Sequence, residues 1–366
     1  MKSSRSAIDT PALIVDIEAL DRNIATMAAR AKAWGVALRP HAKTHKCSAI
    51  ARRQVAAGAR GIACATIDEA EVMVNADLPG VLVTSPLATE HKVSRLMELA
   101  HRRPDLAVVA DHPQHVALLD EMARRSGVSL SVVVDLDVGD HRTGVTTLEG
   151  AVSLAQQINA ARNLRFAGIQ GYAGRLQHVA DFAKRSSEAA KAAKQLAELR
   201  TRLQVLGLVP SVVTGAGTGT HAIDGPGGVF TELQVGSYIF MDAEYANVAL
   251  DEDAQNPFEP ALFVQTTVVS SNQRDFVTTD GGTKAFALNG PPPQILSGPA
   301  AGCTYEFQGD EHGKINLKPG VRLSLGDRLE CQPPHCDPTV CLYDRIVCVK
   351  GDEVVDIWPI DARGRR

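Results

Sequence analysis

The chain is defined first by what it does not contain. Its opening, "MKSSRSAIDTPALIVD", lacks a long apolar core, which excludes a signal peptide or a membrane anchor at that end. No block of Lys and Arg occurs and the net charge is -4, so neither nucleic acid nor a membrane surface is expected as a partner. The seven cysteines are odd in number and include no C-x-x-C pair. That fits reduced thiols in the cytoplasm better than a disulfide framework. There is no internal repeat and no low-complexity segment. What is present is an ordinary globular composition, 45% hydrophobic and 22% charged over 366 residues, enough for one large domain and a smaller one.

From about residue 20 to residue 248 helix-like and strand-like segments alternate. "DIEALDRNIATMAARAKAWG" has an acidic start, apolar residues at helical spacing and Gly35 as a stop. Eight short apolar or β-branched runs follow: "VALRPHA", "GIACA", "GVLVTS", "LAVVAD", "LSVVVDLD", "FAGIQGY", "PSVVTG" and "ELQVGSY". Amphipathic, helix-length segments such as "TEHKVSRLMELAHR" are expected between them. Strands alternating with helices predict parallel βαβ units, and eight of them predict a (β/α)8 barrel, with an open doubly wound sheet as the alternative. Residues 249–366 change character: "ALFVQTTVVSS", "DFVTTDGG", "GVRLSLGDRLECQP" and "YDRIVCVKGDEVVDIWP" predict an all-β domain. The strand-like "TPALIVD" within residues 1–19 is expected to join it.

In such a barrel, chemistry gathers at the C-terminal ends of the strands, and the loops after strands 7 and 8 often hold a phosphate. After strand 7 comes "TGAGTGTH", Thr214 to His221, and strand 8 ends in "VGSY", Val235 to Tyr238. Gly215, Gly217, Gly219 and Gly236 let backbone N–H groups approach an anion, and Thr218 and Ser237 add hydroxyls. Either stretch alone reads as a glycine turn; both together at these loops favour a phosphate. "RPHAKTHK" ends the first strand, so Arg39, His41 and Lys43, two apart, tend inward at the same mouth. Lys43 is either a counter-ion for the phosphate or an amine that forms a Schiff base. Asp135, Asp137 and Arg142 follow strand 5, and Tyr172, Gln177 and His178 follow strand 6. Farther on, "PPHCDPT" sets His335 and Asp337 two apart, a spacing that in an extended segment puts imidazole and carboxylate on one face. Two such ligands hold a divalent cation loosely, and the spacing does not choose between zinc, manganese and magnesium. "GDEHGK", Asp310 to Lys314, reads as a hairpin turn.

"LRPHAKTHK", "DVGDHRTGV", "TGAGTG", "FTELQVGSYIFMD" and "PPHCDPT", in this order, resemble the D-threonine aldolase and D-serine dehydratase family, from about Thr10 to Gly364. These are fold-type III pyridoxal-phosphate enzymes with an alanine-racemase-like barrel and a C-terminal β domain. The resemblance implies that Lys43 is the Schiff-base lysine and that Arg142 bonds the cofactor's phenolic oxygen. It implies that Tyr172 borders the ring and that Thr214, Gly217, Thr218, Gly219, Gly236, Ser237 and Tyr238 surround the phosphate. His335 and Asp337 would be metal ligands, with Asp310 near a metal-held water. Dehydratases of the family carry H-x-C where this chain has H-x-D, the aldolase pattern, and an Asp carboxylate suits manganese or magnesium better than zinc.

The resemblance therefore implies metal-assisted retro-aldol cleavage of a D-3-hydroxy-amino acid, with D-threonine giving glycine and acetaldehyde and His178 as general base. The alternative is β-elimination from D-serine or D-3-hydroxyaspartate, giving a 2-oxo acid and ammonia. A non-catalytic cofactor carrier would lack the C-terminal domain. Departures from the aldolases fall at Ala65, Thr66, Ser85, Pro86 and Arg175, close to the expected substrate pocket. The resemblance also implies a homodimer with shared sites, in which His335 and Asp337 would serve the other chain's Lys43.

Overall fold

The computed structural model describes residues 3–253 and 256–364. Two short strands, β1 (Ser3–Ser4) and β2 (Ala12–Asp16), precede helix α1 (Ile17–Trp34). Asp16 caps α1 by accepting from the N–H groups of Glu18 and Ala19, and Gly35 ends it in the left-handed region at φ 71°. Eight barrel strands follow: β3 (Ala37–Leu38), β4 (Ala63–Cys64), β5 (Leu82–Val83), β6 (Ala107–Ala110), β7 (Leu130–Asp135), β8 (Leu164–Gly171), β9 (Val212–Gly215) and β10 (Glu232–Leu233). Each coincides with one of the eight runs in the sequence. Six helices alternate with the first seven of these strands: α2 (Ser48–Ala56), α3 (Ile67–Asn75), α4 (Glu90–Arg102), α5 (Pro113–Ser126), α6 (Leu148–Ala160) and α7 (Phe182–Val205).

All the strand pairings of this sheet are parallel, in the order β3-β10-β9-β8-β7-β6-β5-β4. The ring closes through a parallel bridge between His41 and Ala63, with Ala63 N–H donating to the Pro40 carbonyl at 2.9 Å. An open doubly wound sheet is thereby excluded, and the fold is a (β/α)8 barrel. Leu82, Val109 and Val133 fill part of its interior. Between β9 and β10 the helix-length segment yields only α8 (His221–Asp224). Gly225, Pro226, Gly227 and Gly228 follow it directly, and Trp34 of α1 packs there, where a Cβ at Gly225 would lie 2.3 Å from the ring.

The remaining strands are β11 (Leu262–Ser270), β12 (Phe276–Thr279), β13 (Gln294–Ile295), β14 (Thr304–Phe307), β15 (Gly313–Asn316), β16 (Arg328–Gln332), β17 (Arg345–Lys350) and β18 (Glu353–Pro359), with α9 (Cys336–Val340) between β16 and β17. They form a separate, mainly antiparallel sheet in which β2 pairs with both β11 and β17. All seven cysteines are free, and no helix among the described residues is long and apolar enough to cross a membrane.

Candidate active site at the barrel mouth

The first barrel strand delivers its polar residues inward because each finds a partner there. Arg39 makes a bidentate ion pair with Glu232 of the eighth strand, at 2.7 and 2.9 Å, and also donates to the Gly80 carbonyl. The ring of His41 accepts from Lys43 N–H on Nδ1, so its Nε2–H donates to Thr84 Oγ1 at 3.2 Å, and Thr84 in turn donates to the Cys64 carbonyl. Burial holds His41 well below the ordinary imidazole range, hence neutral. Lys43 lies one step past the strand, in a 3-10 turn over Ala42–Thr44.

A cavity of about 220 Å³ opens at Lys43, walled by His41, Thr84, Ser85, Arg142, Tyr172 and Gln234 among others. The Arg142 guanidinium stands 5.5 Å over the Tyr172 ring. Burial pushes the Tyr172 phenol up, against the pull of the Lys43 and Arg142 charges. Beneath, Gln234 Nε2 donates to Gln170 Oε1 and Thr214 Oγ1, and Gln170 Nε2 donates to Asp135 Oδ1, at 2.9 to 3.0 Å. Burial raises the Asp135 carboxyl to about 6. A larger hollow of about 520 Å³ lies on the β domain, lined by Ile8, Pro11, Leu342, Tyr343 and Ile357, and includes none of the predicted site residues.

The two glycine loops meet beside this cavity. Tyr238 N–H donates to Thr218 Oγ1 at 3.0 Å, and Ala216 adopts the left-handed region at φ 61°, which is uncommon for a residue with a Cβ. A Cβ at Gly236 would come to 2.5 Å of Thr44 Oγ1, and one at Gly219 to 2.0 Å of the Gln177 carbonyl oxygen. Gly217 N–H is taken by Thr220 Oγ1 and Gly219 N–H by Gln177 Oε1. Among the described residues no protein acceptor is paired with the N–H groups of Thr218, Gly236 or Ser237, and the buried Thr44 hydroxyl has no partner. Unpaired donors at a glycine cradle fit the phosphate of a cofactor. Tyr238 differs from the sequence expectation: its phenol turns into the core, where Gln54 donates to it at 3.1 Å, so only its backbone faces the loop.

The segment around α9 reaches this mouth from the β domain. Ala243 and Glu244 N–H donate to the carbonyls of Pro333 and Pro334, and Cys336 N–H donates to Asp242 Oδ2 at 2.9 Å. His335 is still extended but Asp337 is already helical, so the pair does not share the face of one extended segment as the spacing suggested. Even so, His335 Nε2 lies 3.9 Å from Asp337 Oδ1. Asp337 Oδ2 forms an ion pair with Lys43 of the same chain. The anchoring bonds at residues 333–336 corrects the expected placement of His335 and Asp337 at another chain's Lys43: they face their own. Burial raises the Asp337 carboxyl, but the Lys43 ammonium and His335 outweigh it and hold it well below the usual range. Burial likewise depresses Lys43, and Asp337 and Tyr172 more than restore it, so the amine stays charged above its ordinary range. Among the described residues no group of three or more His, Cys, Asp or Glu is disposed to hold a metal ion; His335 and Asp337 form a two-donor pair. Asp310 sits in the β14–β15 hairpin, three-quarters exposed, near Thr283 and Lys284.

His178 follows the sixth strand and packs on the Tyr245 ring at 4.5 Å, with the His335 ring 6.1 Å away. Its Nδ1 is 3.2 Å from Glu244 Oε1, and Asn289 Nδ2 is 2.7 Å from His335 Nδ1. Burial lowers the His178 imidazole despite the opposing pull of Glu244. Glu244, Asn289, Gln170 and Gln234 were not singled out in the sequence; no local motif marks them, because each gains meaning only from a partner far along the chain.

A parallel barrel with an inward lysine, a glycine cradle and a β domain folded over its mouth defines a class: an alanine-racemase-like barrel protein. The chain matches the family model of the alanine racemase N-terminal domain over residues 15–244 and that of the serine dehydratase domain over residues 261–349. It belongs to the alanine racemase N-terminal domain family. It is 38% identical to a D-threonine aldolase of Arthrobacter sp. over 98% of this chain and 93% of that one. It is 37% identical to a 3-hydroxy-D-aspartate aldolase of Paracoccus denitrificans, with the same coverage. The crystal structure of D-threonine aldolase from Filomicrobium marinum superposes with a TM-score of 0.96, at 39% identity, covering 100% of this chain and 98% of that one.

Proposed function

We propose that this chain is a pyridoxal-phosphate- and divalent-metal-dependent lyase that cleaves D-3-hydroxy-amino acids by a retro-aldol reaction. The single observation that carries the proposal is the convergence of Lys43, the cavity walled by Arg142 and Tyr172, and the His335–Asp337 pair at one barrel mouth. Its full-length similarity to two aldolases supports the same reaction class. Pyridoxal phosphate, when bound, supplies a carbonyl for an amine to condense with and a ring that takes up the electron pair of the broken bond. A divalent cation on His335 and Asp337, manganese or magnesium in preference to zinc, supplies Lewis acidity toward the substrate's β-hydroxyl.

The chain's own residues do the rest. Lys43 provides the amine that tethers the cofactor, and the N–H groups of Thr218, Gly236 and Ser237 hold its phosphate. Arg142 and Tyr172 wall the ring, while neutral His41 and the Gln234–Gln170–Asp135 chain keep the cavity polar with every partner fixed. His178, neutral through burial, takes the β-hydroxyl proton as general base; the Cα–Cβ bond breaks to release the aldehyde, and protonation at Cα leaves glycine. The working unit is a homodimer in the cytoplasm, each site served by its own Lys43, His335 and Asp337.

Product analysis tests the reaction. The protein loaded with pyridoxal phosphate is incubated with D-threonine and D-3-hydroxyaspartate, with manganese and with chelator. Glycine together with acetaldehyde or glyoxylate, formed only with metal, is the expected result. Ammonia and a 2-oxo acid would overturn it in favour of β-elimination.

A further inference from the structure

We infer that Glu244 is a positioning residue that fixes the tautomer of His178. The inference rests on the role of His178 proposed above. Glu244 stands between two imidazoles: Oε1 is 3.2 Å from His178 Nδ1, and Oε2 is 3.9 Å from His335 Nδ1. A carboxylate only accepts, and Oε1 lies at ion-pair distance from Nδ1, so the single proton of a neutral His178 is drawn to Nδ1. Nε2 is then left with its lone pair free, the state a base requires.

Two further contacts make the arrangement rigid. The Tyr245 ring packs on His178 at 4.5 Å, which limits ring rotation. The Glu244 backbone donates to the Pro334 carbonyl at 3.2 Å, one residue before His335. Glu244 therefore ties the base on the barrel to the segment that the β domain contributes. His335 has its own Nδ1 partner in Asn289 at 2.7 Å, so the short contact of Glu244 belongs to His178. Carboxylate partners of this kind change ligand or base function by about 10–100-fold when removed.

The test uses the full chain loaded with pyridoxal phosphate and magnesium. E244A is expected to lower kcat about 10–100-fold with KM within about twofold. E244Q, whose amide oxygen accepts the same proton, is expected to retain most of kcat. In 15N spectra of the histidine-labelled protein, with His178 signals identified by their loss in H178A, wild type and E244Q should show the Nδ1–H tautomer. E244A should shift toward a mixture. An E244A kcat within twofold of wild type, or His178 nitrogen shifts unchanged in E244A, would overturn the inference. H178A separates the two claims: if it keeps wild-type kcat, the base assignment fails, while the nitrogen shifts still decide the role of Glu244.

Discussion

Arg39→Met is expected to destabilise the barrel strongly, because it leaves the buried Glu232 carboxylate with only the half-exposed Arg60 beside it. The Arg39 and Glu232 side chains are 8% and 0% exposed, joined by two hydrogen bonds of 2.7 and 2.9 Å. The remaining cation, Arg60, lies 3.4 Å from Glu232 Oε2 but is half exposed and solvated. Breaking a buried pair from one side typically costs about 3–5 kcal/mol, since the partner carboxylate stays desolvated. At about 2–4 °C per kcal/mol for a domain of this size, the melting temperature should fall by roughly 6–20 °C. The double variant R39M/E232M removes both charges and should recover most of that loss, as replaced buried pairs often do. The assay is thermal unfolding followed by circular dichroism on the three proteins at pH 7. A single-variant loss below about 1 kcal/mol, or a double variant no better than R39M, would refute the reasoning.

Two other perturbations follow from particular contacts. Gly236→Ala puts a Cβ 2.5 Å from Thr44 Oγ1, so the 236–237 loop must shift in a way that cofactor binding has to reverse. Overpacking of about 1–3 kcal/mol should weaken pyridoxal-phosphate affinity by about 5- to 150-fold in a fluorescence titration, and unchanged affinity would remove Gly236 from the cradle. Burial raises Asp224 to about 7, so the fold favours its protonated form; that stability is complete below the ordinary carboxyl range and is lost as pH rises through 7. Asp224→Asn stays neutral, so it should raise the stability at pH 8.5 by on the order of 4 kcal/mol at most, seen as a higher melting temperature, and change little at pH 4. A gain equal at both pH values would contradict this.

The eight barrel strands were legible because each is a short β-branched or apolar run between amphipathic helices, a pattern that survives without knowledge of contacts. The β9–β10 connection departs from the expected helix: Gly225, Pro226, Gly227 and Gly228 break it after α8, where Trp34 of α1 packs against Gly225. At the site, Lys43, Arg142, Tyr172 and the glycine loops were legible from their positions at strand ends. Tyr238 was not, since whether a side chain at a strand end faces the mouth or the core depends on Gln54, far away in the chain. Glu244 and Asn289 carry no motif and were missed; they are found only by asking what His178 and His335 touch. The pairing of Asp337 with Lys43 likewise depends on the anchoring of residues 333–336 to the barrel end, which spacing could not show.

The most direct test of the proposed active site is reductive trapping. The protein is loaded with pyridoxal phosphate, reduced with borohydride and digested, and the pyridoxyl-bearing peptide is sequenced by mass spectrometry. The expected result is a single modified residue, Lys43, abolished in K43A with the fold intact by circular dichroism. Modification at Lys46 or at any other lysine, or persistence of the label in K43A, would contradict the assignment of the barrel mouth as the cofactor site.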